Sequence, residues 1–211
     1  MTNVELVDTV LASIERGEHS LSQEAIDHEG MTSLKVKSLL NGIVKEEGTR
    51  YLEVGVWKGA TFHAALDGNK PEVAVAIDNF SQFEGSEAIF LENLKSEAGK
   101  FQFVNSDSFS VDLTCIPSPF NVYFYDGDHT DEAQEKALTY FLPALSDEFI
   151  YICDDWNFKP AKDGTRRGIA LSNLEVVKCW ELPADRNGDT VNWWNGVCVV
   201  VLRKSCNERN D

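Results

Sequence analysis

The sequence contains no apolar run near the roughly 18 residues that a membrane-crossing helix needs, so no membrane span is expected. Positive charge is scarce: 19 Lys and Arg stand against 35 Asp and Glu, a formal net charge of −16. Such a field repels phosphate backbones and anionic membranes, and the densest basic spot is only Arg166-Arg167. Neither nucleic acid nor membrane is therefore expected as a partner. The five cysteines (Cys115, Cys153, Cys179, Cys198, Cys206) include no C-x-x-C pair, which argues against a zinc site or a disulfide framework. Reduced thiols and a cytoplasmic location follow as expectations. The first 16 residues carry Glu5, Asp8 and Glu15 and no basic stretch before an apolar core, so they do not read as a secretion signal. Repeats, low-complexity tracts and Pro/Gly-rich linkers are missing too, which favours a single domain in 211 residues.

What is present is apolar material enough for a core, 43% of the chain, in patterns that change once. Residues 1–48 read as helical. Val4, Leu6, Val7, Val10, Leu11 and Ile14 recur at helical spacing, and Leu34, Val36, Leu39, Leu40, Ile43 and Val44 form a second stripe that Gly48 ends. This segment either caps a site or packs against the edge of a sheet. From residue 49 to 211, short apolar runs alternate with amphipathic ones. Strands are expected at 51–54, 73–77, 101–104, 121–125 and 149–153, with helices at 61–66, 87–98 and 131 to about 145. That alternation implies βαβ units in an α/β fold, a parallel sheet with helices on both faces. Two last strands, 176–180 and 197–202, have no helix between them and are expected to pair antiparallel.

Chemistry gathers at the expected strand ends. Glu53-Val54-Gly55-Val56-Trp57-Lys58-Gly59-Ala60-Thr61 joins a strand to a helix. Gly55 permits a tight turn and Gly59 a close helix start, in an E-x-G-x-x-x-G pattern that falls short of the dinucleotide G-x-G-x-x-G. A structural turn and a ligand site both remain open for it. Asp78-Asn79 ends the next strand, about 20 residues on, where a carboxylate can accept both hydroxyls of an adenosine ribose or simply cap a helix. Ser106 and Asp107, after the third strand, suit an adenine edge or a plain polar turn. Asp126-Gly127-Asp128-His129 and Asp154-Asp155 end two further strands that this topology makes neighbours. Four carboxylates in one cleft require a neutralising charge, and a hard divalent cation such as Mg²⁺ supplies it. Capping of the following helix by Asp128 or Thr130 would explain one of them. His129, at the mouth of this cleft, has a side chain whose intrinsic pKa suits a general base.

These residues together resemble the class I S-adenosylmethionine-dependent methyltransferases, over roughly residues 49–203. Within them the chain is similar to the metal-dependent small-molecule O-methyltransferases that act on macrolide sugars and catechols. E-V-G-V-W-K-G-A-T, A-I-D-N, F-Y-D-G-D-H-T and I-C-D-D-W carry the resemblance. It implies a Rossmann-like, seven-stranded, mostly parallel sheet with an antiparallel last strand. It implies that Glu53, Gly55 and Gly59 line the methionine end of S-adenosylmethionine, with Thr61 nearby and Trp57 and Asp126 in the same set. Asp78 and Asn79 would serve the ribose, and Ser106 and Asp107 the adenine. Asp126, Asp154 and Asp155 would hold the metal, and His129 matches the base of the sugar-methylating branch. The catechol-type enzymes use a lysine base and commonly an Asn where this chain has Asp155. The expected reaction is O-methylation of a sugar, polyol or phenol, with an inactive cofactor-binding scaffold or a nicotinamide-dependent reductase as alternatives. The reductase would want a fuller glycine fingerprint.

The stretch from Trp156 through Lys159-Pro160 to Gly164-Thr165-Arg166-Arg167-Gly168 has the aromatic, basic and glycine content of a substrate loop. Trp156 is expected to stack on a ring, and Arg166 or Arg167 to pair with an anionic group, or else all three serve packing and surface charge. Trp193-Trp194 reads as edge packing or as a contact in a homo-oligomer.

Overall fold

Seven strands lie in one sheet in the order β3-β2-β1-β4-β5-β7-β6 in the computed structural model, which describes residues 1–205. Cys206 lies outside the described residues; the four cysteines within them are free thiols. β1 (Arg50–Val54) is central and runs parallel to β2 (Val73–Asp78) on one side and β4 (Phe120–Tyr125) on the other. β3 (Gln102–Asn105) extends the sheet beyond β2, and β5 (Leu145–Cys153) beyond β4. β7 (Val197–Lys204) is antiparallel both to β5 and to β6 (Leu174–Leu182), as the missing crossover helix requires. The chain thus builds outward from β1 to β3, then returns to start again at β4. That reversal opens a crevice at the carboxyl ends of β1 and β4, where open α/β sheets bind ligands.

The strands read as continuous apolar runs because both faces are covered. Tyr51, Ala74, Ala76, Phe124, Ile150 and Ile152 face one layer of helices: α1 (Asn3–Glu15), α3 (Leu34–Val44), α4 (Ala60–Leu66) and α5 (Glu87–Asn93). Leu52, Val54, Val75, Ile77, Tyr123 and Tyr151 face the other, with α6 (Asp131–Phe141) and α7 (Lys159–Leu171). The N-terminal helices share this core, through Leu6, Val7, Val10, Leu39, Leu40 and Ile43. A short helix not expected from the sequence, α2 (Gln23–Asp27), is pinned beneath them. Buried Lys37 donates to the carbonyls of Ala25, Ile26 and His28 at 2.9, 2.9 and 2.7 Å. Among the described residues no helix is long and apolar enough to cross a membrane.

Several boundaries move, among them the helix expected over 87–98, which ends at Asn93. The helix opening at Asp131 ends at Phe141 because Pro143 has no N–H to continue it, and β5 begins at Leu145. The larger change is α7, a helix where a substrate loop was expected. Pro160 sits in its first turn, where a missing N–H costs nothing. Gly164 and Gly168, four apart, let α7 press against α6: a Cβ at Gly164 would lie 2.3 Å from the Asp131 carbonyl oxygen and 2.6 Å from Gln134 Cβ. The glycines serve helix contact, not loop freedom. Gly164→Ala is expected to destabilise the fold by roughly 1–3 kcal/mol, read as a lower urea midpoint at unchanged slope.

Candidate active site

The carboxyl ends of the parallel strands open onto a cavity of about 410 Å³. Its floor depends on Gly55, which has φ +89° directly after β1. A Cβ there would stand 2.1 Å from the Asp126 carbonyl oxygen, so only glycine lets the ends of β1 and β4 converge. Asp78, at the end of β2, then clasps the turn. Its Oδ2 accepts from Trp57 N at 2.7 Å and its Oδ1 from Phe80 N at 2.6 Å. Asp107 holds the loop after β3 in the same way, accepting from Phe109 N at 3.0 Å. Glu53 lies behind this wall, fully buried, accepting from Thr61 Oγ1 at 2.6 Å and from the Tyr51 hydroxyl at 2.5 Å. Burial pushes its carboxyl up from 4.5 to about 7, against the pull of those two donors.

The opposite wall is acidic. Asp126 follows β4, and Asp154 and Asp155 follow β5; Asp154 N donates to Tyr125 O, which locks the two ends together. Burial first, and then the neighbouring carboxylates, push Asp126 and Asp154 well above the usual range. Asp154 is only 5% exposed, and its Oδ1 has no hydrogen-bond partner. Asp155 takes a left-handed conformation, φ +57°, with Oδ1 accepting from Asn195 Nδ2 at 2.7 Å. His129 stands between these acids, Nε2 being 3.4 Å from both Asp126 Oδ1 and Asp155 Oδ2. Its Nδ1 faces Gln134 Nε2 at 3.2 Å. Gln134 is wholly buried, and its Oε1 receives the Thr165 hydroxyl and the Cys153 thiol, each at 3.2 Å.

Of the residues expected at a site, Gly55, Trp57, Thr61, Asp78, Asn79, Asp107, Asp126, His129, Asp154 and Asp155 all line this one cavity. Three expected cofactor residues do not. Glu53 supports Thr61 from behind, Gly59 backs onto Leu94 and Phe90, and the Ser106 hydroxyl is turned to the Asp107 carbonyl. The expected substrate set is corrected as well. Trp156 is a 3% exposed core residue, with Arg166 and Lys162 over its ring. Arg166 pairs with Glu181 at 3.3 Å, and Arg167 with Glu135 and Asp131 at 2.9 and 3.2 Å, all on the outer surface of α7. Helix formation carries these residues away from the rim. The sequence reading missed Met31 and Thr32, before α3, and Trp194 and Asn195, before β7, which line the cavity instead. Trp193 does pack at the edge of the core, with Lys35 Nζ 5.7 Å from its ring centroid. Only the aromatic doublet hinted at Trp194.

The donor chemistry suits a hard cation: three carboxylates supply oxygen alone, and one oxygen is buried without a partner. Among the described residues no group of three or more His, Cys, Asp or Glu side chains is found that could hold a metal ion as arranged. Mg²⁺ is thus matched in charge and ligand type, not in ready-made geometry.

This sheet order, with its antiparallel β7 and its cavity at the β1/β4 reversal, is the Rossmann-like fold of the S-adenosylmethionine-dependent methyltransferases. Residues 52–156 match the family model described as "Methyltransferase domain". A methyltransferase of Podospora anserina bound to S-adenosylhomocysteine (SAH) superposes with a TM-score of 0.63 at 16% identity, over 97% of each chain. An O-methyltransferase of Bacillus cereus in complex with SAH gives 0.60 at 15%, over 96% of this chain and 93% of that one. A candidate RNA methyltransferase of Pyrococcus horikoshii gives 0.57 at 16%, over 99% and 100%. No curated protein matches the sequence.

Proposed function

We propose that this protein transfers the methyl group of S-adenosylmethionine to a hydroxyl of a small molecule, with His129 as base and a divalent cation held by Asp126, Asp154 and Asp155. The observation that carries the reading is the convergence of the glycine turn, Asp78, the three aspartates and His129 on one cavity. Asp78 and Asp107 would receive the nucleoside part of the donor, and Gly55 and Trp57 its amino-acid part. The donor supplies an already activated methyl group on its sulfonium, so the protein's task is to orient and deprotonate the acceptor. The cation, when bound, would make a coordinated hydroxyl more acidic and neutralise the carboxylates. Nucleic acid is disfavoured as acceptor, because the lining has six aspartates and, among the described residues, no Lys or Arg.

A base at Nε2 needs the imidazole proton on Nδ1. As arranged, the Gln134 amide nitrogen donates to Nδ1 and so leaves the proton of the neutral ring on Nε2. Turning the amide end for end keeps every bond, since the Thr165 hydroxyl and the Cys153 thiol can accept as well as donate. Oε1 then receives Nδ1–H, and Nε2 is free to take the acceptor's proton. Gln134 is therefore a positioning residue that decides which nitrogen is basic.

Isothermal titration should find SAH binding, and labelled S-adenosylmethionine should methylate a vicinal diol only with Mg²⁺ present. Removing the ion with EDTA is expected to abolish turnover and to lower the melting temperature of the Mg²⁺-loaded protein. Full activity in EDTA, with no thermal shift on adding Mg²⁺, removes the metal from the proposal. Failure of SAH to bind removes the methyltransferase reading.

A further inference from the structure

Two thiols of neighbouring strands touch at the far edge of the sheet. Cys179 on β6 and Cys198 on β7 bring their Sγ atoms to 3.5 Å. Cys179 is exposed, and Cys198 is buried behind it. The other two thiols among the described residues bond elsewhere. Cys115 is exposed and donates to Asp112 Oδ2 at 3.4 Å. Cys153 is buried against Gln134, Thr165 and the Asp154 carbonyl. Burial pushes its thiol up from 9.0 to about 12, which leaves it inert.

Register explains why the two sulfurs meet without bonding. Cys179 stands opposite Val200 and Cys198 opposite Glu181, so the pair is diagonal, two residues off the direct cross-strand position. A bond of about 2.05 Å asks the sulfurs to close by a further ~1.5 Å. β6 can give that distance, because it is the last strand of the sheet and already shifts register between Val176 and Lys178. A cross-link that needs such a shift is also one that a reductant opens. The two thiols divide the work. With Cys198 S–H donating to its sulfur, Cys179 is held below the ordinary cysteine value, and Arg166 adds to this while burial and Glu181 oppose it. Cys198 is pushed up by that same bond and by burial, so it keeps its proton and stands behind as the resolving thiol.

The pair also brackets residues 183–196, the excursion between β6 and β7 that brings Trp194 and Asn195 to the cavity. Hydrogen bonds alone hold this excursion in place. Asp189 and Trp194 exchange two of 3.0 Å, Asn157 Nδ2 donates to Ala184 O at 2.8 Å, and Asn195 Nδ2 to Asp155 Oδ1 at 2.7 Å. A covalent link across its base adds to them and restricts how far the segment can open.

We propose that Cys179 and Cys198 are a reversible redox pair, in which hydrogen peroxide closes a disulfide across the base of the 183–196 excursion. The Cys179 thiolate attacks one peroxide oxygen; an S–O bond forms as the O–O bond breaks, and hydroxide leaves. The Cys198 sulfur then attacks the Cys179 sulfur. An S–S bond replaces the S–O bond, and the departing hydroxide takes the Cys198 proton as water. Two thiols give up two electrons, and the peroxide is reduced to two waters. The test is equimolar hydrogen peroxide on the whole protein. Mass spectrometry should show the loss of two hydrogen atoms, and peptide mapping a link between residues 179 and 198, both reversed by dithiothreitol. Cys179→Ser should abolish the link. Cys198→Ser should leave Cys179 stalled as a sulfenic acid that dimedone traps, and Cys115→Ser should change nothing. Amide hydrogen exchange over 183–196 should slow at least about threefold in the oxidised protein and recover on reduction. A link between other cysteines, no link at all, a sulfenic acid that persists at Cys179 in the parent protein, or unchanged exchange in the linked protein overturns the proposal. Each readout stands apart from methyl transfer, so its failure leaves the methyltransferase reading untouched.

Discussion

Replacing His129 with alanine is expected to lower kcat roughly 10²- to 10⁴-fold, the usual worth of a positioned general base, while SAH binds as before. The separation follows from the layout. His129 meets the acid wall, 3.4 Å from Asp126 and Asp155, and its polar partners are Asp126, Asp155 and Gln134, none of them in the glycine turn or Asp78, which would hold the donor. Gln134→Leu should give a smaller fall of the same kind, since it removes the group that selects the tautomer and leaves the Thr165 hydroxyl and the Cys153 thiol to bond each other. Single-turnover rates with saturating donor, beside SAH titrations of each variant, make the measurement. A His129→Ala enzyme with undiminished single-turnover rate would show that another group takes the proton.

Glu53→Gln removes a fall in stability with rising pH. In the folded chain this carboxyl is held up to about 7 by burial, against 4.5 ordinarily. Between those values the folded state keeps a proton that the unfolded chain has released. Stability from this group is therefore greatest at and below the unfolded value and declines until the pH passes 7. The gap corresponds to roughly 3 kcal/mol across the window. Glutamine keeps the shape and the bonds to Tyr51 and Thr61 without the titration. Asp126 and Asp154 are shifted in the same direction, so the informative quantity is the difference between variant and parent. Urea midpoints from pH 5 to 8 should slope downward less steeply in Glu53→Gln; parallel slopes would mean that Glu53 is already ionised in the fold.

The layered fold was legible because its signals are local. Apolar runs of four to six residues, such as Val73–Ile77, alternate with amphipathic ones, and an apolar strand between two helix layers looks the same in any parallel sheet. The strand-end motifs were legible for a related reason: a side chain that follows a parallel strand is delivered to one rim, whichever strand it is. That is why Asp78, Asp126, His129, Asp154 and Asp155 meet although up to 77 residues separate them.

The far wall of the cavity was not legible. Lys159–Leu171 carries glycine, proline and arginine, which suggest a loop, and only the presence of α6 alongside shows that its glycines are contact points. Trp194 and Met31 reach the cavity through turns whose direction depends on Asp189, Asn192 and Ser33 bonding across 159 positions of chain. The sequence by itself determined the strand and helix alternation and the acidic, glycine-marked rim, since periodicity and turn chemistry are written in neighbouring residues. Tertiary structure alone decided which side chains wall the rim and which, like Glu53 and Trp156, stand behind it, because burial and direction are properties of the packed neighbours and not of the residue.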